Sequence, residues 1–246
     1  MAKSSGLGQN FYVTGRDISG DVSAIDNAGS PRQIFVTTGI DKAATERLLG
    51  RSDGNLSWTT FFNDAANQQH AILGSHPTTD ITIIWALGTS LGSVAAGLVA
   101  KQVFHNGTEA ADGSLTFSTE AQGAGSPLEW GNMVTAGKVT HSSAGTSTGD
   151  VTAQTTVGGI GYLQIFSLGS GTPTVLIEHS SDTSNGIDGS WSTLLTFATQ
   201  AQGGERKVVT GTVRKGLRLK TTGSFSNCVI AICFRRATAQ DDVDLS

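Results

Sequence analysis

Residues 99–122 have the sequence VAKQVFHNGTEAADGSLTFSTEAQ, two pleated runs joined by a polar turn. In the second run Leu115 and Phe117 fall on one face, and the hydroxyl of Thr116 and the carboxylate of Glu120 fall on the other. Because side chains alternate along a strand, this pattern predicts an antiparallel sheet with one face on a core and one face in water.

The rest of the chain has the composition of a β protein. It contains 32 glycines, only 15% of its residues are charged and 37% are hydrophobic. Beyond residue 150, strand-like runs recur about every ten residues between Gly, Asn and Asp turns, which is typical of an antiparallel sandwich or jelly roll. We therefore predict an all-β fold with one short helix.

Two segments have helical spacing. In residues 39–50, GIDKAATERLLG, Asp41 is a suitable N-cap and Gly50 a suitable stop, so we predict a helix of about two turns. A second short helix is predicted within residues 63–74, NDAANQQHAILG. Residues 33–38, QIFVTT, are predicted to form a strand before the first helix.

A change in amino-acid composition along the chain predicts two domains. Residues 136–150, AGKVTHSSAGTSTGD, offer little to bury, which is typical of a linker. We predict a first domain at 1–140, a Ser/Thr/Gly linker at 141–150, a β-sandwich domain at 151–236 and a flexible acidic tail at 237–246. Residues 1–149 carry eight basic and twelve acidic side chains and residues 150–246 carry eight of each, so the acidity belongs to the first domain.

The charge and hydropathy of the chain exclude several classes of partner. A net charge of −4 argues against tight binding of nucleic acid, because neutralising phosphates requires a basic stripe. The sequence has neither an apolar run of about eighteen residues nor an apolar leader, which predicts a soluble cytoplasmic product and no membrane partner. Cys228 and Cys233 lie in one predicted strand with opposite orientations, and we interpret both as small packing residues.

The sequence contains no recognisable catalytic, phosphate-binding or metal-binding motif. The five histidines show no metal-ligand spacing, and neither a nucleophile elbow nor a phosphate-binding glycine loop before a helix occurs. We therefore predict no enzyme activity, no cofactor and no metal site.

Three features of the second half are candidates for a binding site. Asp182, Asn185 and Asp188 share one loop, which fits a plain turn or an oxygen-rich calcium site, and the spacing departs from an EF-hand. Basic residues cluster within 206–220, as on a solvated strand face or on a patch for an anionic ligand. Trp191 follows a turn and is the candidate for stacking against a sugar ring.

Several segments together resemble one protein family. They are RDISGDVSAID at 16–26, TTGIDKAATERLLGRSDGNLSWTTFFN at 37–63, the hairpin at 99–122 and GSPLEWGNMVTAG at 125–137. In this order they are similar to the major tail (tail tube) proteins of long-tailed bacteriophages, the siphophages, that infect actinobacteria. The second domain resembles the small sandwich that some members append to the tube domain.

The resemblance implies a tube domain of two antiparallel sheets and a flanking helix, which assembles into a ring, commonly a hexamer. The inner sheets of the ring join into a barrel, and stacked rings form the virion conduit for DNA ejection into the host. The implied partners are copies of the chain itself, the tape-measure, tail-terminator and tail-tip proteins, and genomic DNA that passes without tight binding.

The tail tube interpretation predicts roles for a few residues. Glu109, Asp112 and Glu120 sit in the turn or on the hydroxyl face of the quoted hairpin, so we predict that they face the lumen; the alternative is exposed carboxylates on the outside. We assign the ring-stacking contacts to the N-terminal arm and residues 41–55.

A different class of function is also open. In this alternative the C-terminal sandwich binds a cell-surface glycan through Trp191, and the protein is an adhesin or a tail decoration. A hydrolase would need a convergent acid, base and nucleophile, which the sequence does not indicate.

Overall fold

The computed structural model describes residues 7–239. With 55% of its residues in strands and 2% in helix, it confirms the predicted all-β fold. The first strands are β1 (Asn10–Val13), β2 (Arg16–Asp17), β3 (Val22–Gly29), β4 (Arg32–Val36), β5 (Arg47–Ser52), β6 (Asn55–Phe61), β7 (Ile81–Ala86), β8 (Val94–Glu109), β9 (Leu115–Gly123) and β10 (Glu129–Met133). The later strands are β11 (Val139–His141), β12 (Gly145–Thr146), β13 (Asp150–Val151), β14 (Gly158–Ser167), β15 (Ser170–Gly171), β16 (Thr174–Ser180), β17 (Ser192–Thr196), β18 (Gly203–Thr210), β19 (Gly216–Thr222), β20 (Phe225–Ser226) and β21 (Cys228–Arg236). Residues 240–246 of the predicted acidic tail lie outside the described residues.

One antiparallel sheet connects the two halves of the chain. Its strand order is β18-β14-β21-β10-β8-β7-β1-β2, so β21 of the C-terminal half pairs with β10 of the N-terminal half. The predicted linker contributes strands here too, since β11 pairs with β21 and β12 and β13 pair with β19. The predicted boundary therefore falls inside hydrogen-bonded sheet, and the division into two domains stays a prediction.

A second sheet branches from the first at β8. This strand is 16 residues long; its beginning pairs with β7 and β10, whereas residues 100–109 pair with β9. β9 then pairs with β6, and β6 with β3. We call the sheet β3-β6-β9 with residues 101–109 of β8 the branch sheet.

The branch sheet packs on β1, β7 and the beginning of β8. Alternation in β6 turns Leu56 and Trp58 inward, and both are fully buried. The rings of Trp58 and Phe11 lie 4.9 Å apart, and Ile83 and Leu98 complete the centre of this core. Burying one such side chain contributes roughly 1.5–3 kcal/mol, so this cluster holds the two sheets together.

The C-terminal half has its own core between β14 and β21 on one side and the sheet of β12, β13, β16, β17 and β19 on the other. The central side chains are Leu163 and Ile165 of β14, Ile177 of β16, Leu219 of β19 and Ile230 of β21. All are fully buried. Two sheets thus face each other across an apolar layer, which is the arrangement of a sandwich.

A third cluster joins the two halves. Tyr12, Ile84 and Met133 of the N-terminal half pack with Tyr162 and Cys233 of the C-terminal half. Cys228 belongs to the C-terminal core instead. The predicted opposite orientation of the two cysteines is thus confirmed, and both are buried free thiols.

The helix predicted at 39–50 is wrong, because β5 begins at Arg47 and pairs with β4. The short helical pattern has no surface to pack against, and an isolated helix of two turns is marginal in water. Pairing with the neighbouring β-branched strand satisfies the backbone instead, and the strand predicted at 33–38 is confirmed as β4.

The second predicted helix is confirmed as α1 (Gln69–Leu73), which packs its fully buried Leu73 into the core under the branch sheet. Among residues 7–239 we find no helix with the length and apolar character that a membrane crossing requires.

Candidate assembly surfaces

The branch sheet has two open edges. Within residues 7–239, β3 forms ladder bonds only with β6, and residues 101–109 form them only with β9. An open edge presents unpaired N–H and C=O groups that can pair with a strand of another chain. The branch sheet therefore offers one joining edge on each side.

One face of the branch sheet is polar. It is formed by alternate residues of neighbouring strands: Asn55, Ser57 and Thr59 of β6, Thr116, Ser118, Glu120 and Gln122 of β9, and Asn106 and Thr108 of β8. Two aromatic residues share this face, since Phe61 pairs with Thr116 and Phe104 pairs with Glu120. Glu120 Oε1 accepts hydrogen bonds from Asn55 Nδ2 at 2.7 Å and from Gln122 Nε2 at 3.0 Å. The alternation predicted in β9 is confirmed, because Glu120 shares the face of the hydroxyls.

Full charges are sparse on this face. Asp26 Oδ2 accepts a hydrogen bond of 2.8 Å from Thr59 Oγ1, and Glu120 is the second carboxylate. Lys101 lies across from Gln122, but its Nζ is 2.7 Å from Asp80 Oδ1, which offsets its charge. The polar face therefore carries a small negative charge.

The three carboxylates predicted for the lumen do not share one face. Glu120 lies on the polar face. Glu109 pairs directly with Leu115, and both side chains therefore lie on the opposite face of the sheet. Asp112 lies in the exposed turn between β8 and β9, where the Ser114 amide donates to its carboxylate and lowers the pKa of Asp112. A lumenal position of all three stays a prediction.

The hairpin of β4 and β5 stands apart from both cores. It connects the end of β3 to the beginning of β6 and forms a separate two-stranded sheet. Ile34 and Leu49 face one another on one side, and Phe35 and Leu48 on the other. These four side chains are 48–64% exposed. Because a lone hairpin with apolar groups on both faces is marginally stable in water, we interpret it as a docking element.

Three histidines meet under the branch sheet, a cluster that sequence spacing did not indicate. His105 of β8 is buried, its Nε2 lies 3.2 Å from His70 Nδ1, and its Nδ1 lies 2.8 Å from Thr119 Oγ1. Phe117 stacks on the His105 ring with centroids 4.5 Å apart. Burial, followed by the nearby His70 and His76, lowers the pKa of His105 to about 4.

The pKa of His105 predicts a stability that depends on pH. The unfolded histidine has a pKa of about 6.5, so between pH 6.5 and 4 the unfolded chain binds a proton that the folded chain rejects. We expect the free energy of unfolding to fall by about 3 kcal/mol across this interval on account of His105. Urea titrations at stepwise pH should show the fall, and H105N should flatten it. An equal slope in H105N and in the unchanged protein would contradict this assignment.

A buried ion network joins the two halves. Glu129 of β10 is 2% exposed, and Arg206 of β18 donates to both of its oxygens, at 2.9 and 3.0 Å. The Tyr162 hydroxyl donates to the same carboxylate, and Arg235 Nη1 lies 3.6 Å from Glu129 Oε1. Burial and the adjacent Glu129 raise the pKa of Tyr162 well above its usual range.

Half of the basic cluster at 206–220 is paired inside the fold. Arg206 binds Glu129, while Arg218 and Lys220 bind Glu178 at 2.7 Å each. The Arg218 guanidinium also lies 4.2 Å from the ring centroid of Trp191. These contacts pair three of the six cations within the chain.

Trp191 is partly committed to the fold as well. Its Nε1 donates to the carbonyls of Ile187 at 3.1 Å and Asp188 at 3.2 Å. The Arg218 guanidinium covers one face of the Trp191 ring. Glycan binding through Trp191 stays a prediction.

The loop of Asp182, Asn185 and Asp188 is a turn bonded to itself. Asn185 Oδ1 accepts from the amides of Ile187 and Asp188 at 2.9 and 3.0 Å. Hydrogen bonds from the Ser180 hydroxyl and the Ser190 amide lower the pKa of Asp182 to about 2. In residues 7–239, no group of three or more His, Cys, Asp or Glu side chains has an arrangement that could hold a metal ion.

No family model and no curated protein matches the sequence, whereas several solved structures are similar to the chain. The chain is similar to SPP1 Dit, described as a paradigm of the hub adsorption apparatus in phages infecting Gram-positive bacteria, with 9% identity, a TM-score of 0.35 and coverage of 92% of this chain and 98% of that one. It is also similar to a chain of the activated phage p2 baseplate with Sr, at 10% identity, TM-score 0.35 and coverage of 93% and 98%. A chain of the activated phage P2 baseplate with Ca is similar at 10% identity, with a TM-score of 0.33 and coverage of 94% of this chain and 99% of that one. With TM-scores this far below 0.5, these likenesses establish neither the fold nor the function of this chain.

Proposed function

We propose that this chain is a structural subunit of a siphophage tail tube, whose copies join edge to edge into rings. The observation that carries the proposal is the branch sheet, with one open edge at β3 and the other at residues 101–109. Open edges on both sides are a hazard in a monomer. In a closed ring, each edge pairs with the next copy and no edge remains.

The geometry of the branch sheet suits the wall of a conduit. Each copy contributes four strands, so a ring of about six copies would close a barrel wider than the 16–18-stranded barrels that already hold a water-filled channel. The core face of each sheet is covered by β1, β7 and α1. The polar face is then the one that turns toward the channel.

The charges on this face agree with a passage for DNA. Duplex DNA carries about one negative charge per 1.7 Å, and a wall of lysine and arginine would hold it. Among the charged groups of the polar face, Asp26 and Glu120 are acidic, and Lys101 is paired with Asp80. The polymer would therefore slide past the wall without being bound.

The proposal extends to the assembled virion. Rings would stack through residues 41–55 and the N-terminal arm, of which residues 1–6 lie outside the described residues. A tape-measure, a tail terminator and a tail tip are the further partners that such a tube requires. An actinobacterial host is proposed from the sequence resemblance.

The lateral joint can be tested by hydrogen exchange in the monomeric and assembled protein. In the monomer, amides on the outer edges of β3 and residues 101–109 should exchange quickly, because they lack ladder partners. In rings isolated by size exclusion and verified by negative-stain microscopy, the same amides should exchange at least tenfold more slowly, while β7 serves as an unchanged internal reference. A protein that stays monomeric at high concentration, or rings whose edge amides stay unprotected, would overturn the proposal.

A further inference from the structure

The hairpin end of the branch sheet is basic as well as apolar. The register Val36 with Arg47, and Ile34 with Leu49, places these four side chains on one face. Arg51 follows two residues later in β5, where the register of the ladder shifts. Val36 and Leu49 are 66% and 64% exposed. Within residues 7–239, neither arginine forms an ion pair. We call this set of five side chains the hairpin face.

The other end of the branch sheet has the complementary character. Phe61, Phe62 and Leu115 are 55%, 41% and 36% exposed. The Phe62 amide donates to the Leu115 carbonyl at 3.1 Å, which holds Phe62 and Leu115 side by side. Glu109 is paired with Leu115, and Asp112 lies in the turn that follows. Neither carboxylate forms an ion pair within the part of the chain that the structure describes. We call these five residues the acidic end.

The two surfaces cannot meet within one molecule. β6 begins next to the hairpin at Asn55 and ends at Phe61, so at about 3.3 Å per residue the hairpin face and the acidic end are about 20 Å apart. Each is apolar at its centre, each carries unpaired charge, and the charges are opposite. A second copy of the chain supplies the matching surface for both.

We propose that the hairpin face of one copy docks on the acidic end of the copy in the next ring. This inference rests on the proposed function for the ring itself and names the partner surface in the stack. Because the two surfaces differ, the contact is head-to-tail and leaves one free surface of each kind after every addition. Growth therefore continues along the axis, which turns rings into a tube.

Charge reversal tests the pairing directly. One variant carries Arg47→Glu and Arg51→Glu on the hairpin face, and a second carries Glu109→Arg and Asp112→Arg at the acidic end. In either variant alone, the hairpin face and the acidic end carry charges of the same sign and repel one another between rings. We therefore expect rings of normal mass but tubes at least tenfold shorter in negative-stain images. Mixed in equal amounts, the two variants should alternate and recover the original tube length, because each reversed surface then meets its complement.

A matched control separates pairing from net charge. Lys207→Glu with Lys215→Glu makes the same charge change as the hairpin variant but lies in the C-terminal half, and it should leave tube length unchanged. Unaltered tubes in either single variant, loss of rings in the variants, or a mixture that fails to recover would each overturn the head-to-tail contact. Failure of the unchanged protein to form rings would instead refute the proposed function, so the two failures can be distinguished.

Discussion

Glu129→Leu is expected to lower the free energy of unfolding by about 3–5 kcal/mol, because it removes one partner of a buried ion pair and leaves the other charge uncompensated. Arg206 donates both of its bonds to this carboxylate, and the Tyr162 hydroxyl donates a further one. A loss of this size is a large share of the 5–15 kcal/mol typical of a folded protein. Equilibrium unfolding in guanidinium chloride gives the value.

The double variant E129L/R206L supplies the control for this prediction. Removing both charges replaces the ion pair by apolar side chains, a change that is often close to neutral in buried sites. We expect the double variant to recover at least about 2 kcal/mol of what E129L loses. If E129L/R206L is as unstable as the sum of its single variants, the two side chains act independently and the network is not the cause.

The parts of the fold that the sequence predicts are those with local signals. The alternation of Leu115, Thr116 and Phe117 needs only the period of a strand, and it correctly places Glu120 on a polar face. The same holds for the strand at Gln33, whose β-branched and aromatic neighbours favour pairing. Periodicity says which face is apolar, and burial then follows.

Other features depend on contacts between distant residues. The spacing of Asp41, Leu48 and Gly50 fits a helix, but the competing partner β4 satisfies the backbone of β5 as a ladder. Glu129 looks like an ordinary charged residue, because its partner Arg206 is far along the chain. The Ser/Thr/Gly stretch at 141–150 resembles a linker, yet its short strands pair with β19 and β21.

The sequence predicts the candidate surfaces only in part, because they too depend on contacts between distant residues. An open edge is defined by the strand that does not pair with it, so β3 and residues 101–109 can be recognised only once the whole sheet order is known. The histidine cluster likewise brings together His70 of α1 and His105 of β8, which no spacing motif connects. The exposure of Ile34 and Leu49 is likewise known only from the structure, because the strand pattern around them is that of a buried strand.

Gly15→Ala is expected to destabilise the protein by about 4 kcal/mol, through two costs that add. The glycine has φ +72°, a conformation that costs a residue with a side chain about 1–3 kcal/mol. The new Cβ would lie 2.5 Å from the Gly203 amide nitrogen and closer still to the Ile165 carbonyl oxygen. Relieving that overlap costs about 1–3 kcal/mol more. The shift that relieves this overlap would also weaken the hydrogen bond that the Gly15 amide donates to the buried Gln164 Oε1 at 2.5 Å.

Two further glycines separate these costs. Gly113 has φ +84° with nothing within 4 Å of a new Cβ, so G113A should lose only the conformational part, about 1–2 kcal/mol. Gly20 has open space and no such φ, so G20A should change stability by less than about 1 kcal/mol. Equilibrium unfolding of the three variants in urea should rank them in this order. If G15A unfolds no more easily than G113A, then Gly15 does not hold β14 against the first strands as tightly as its surroundings imply.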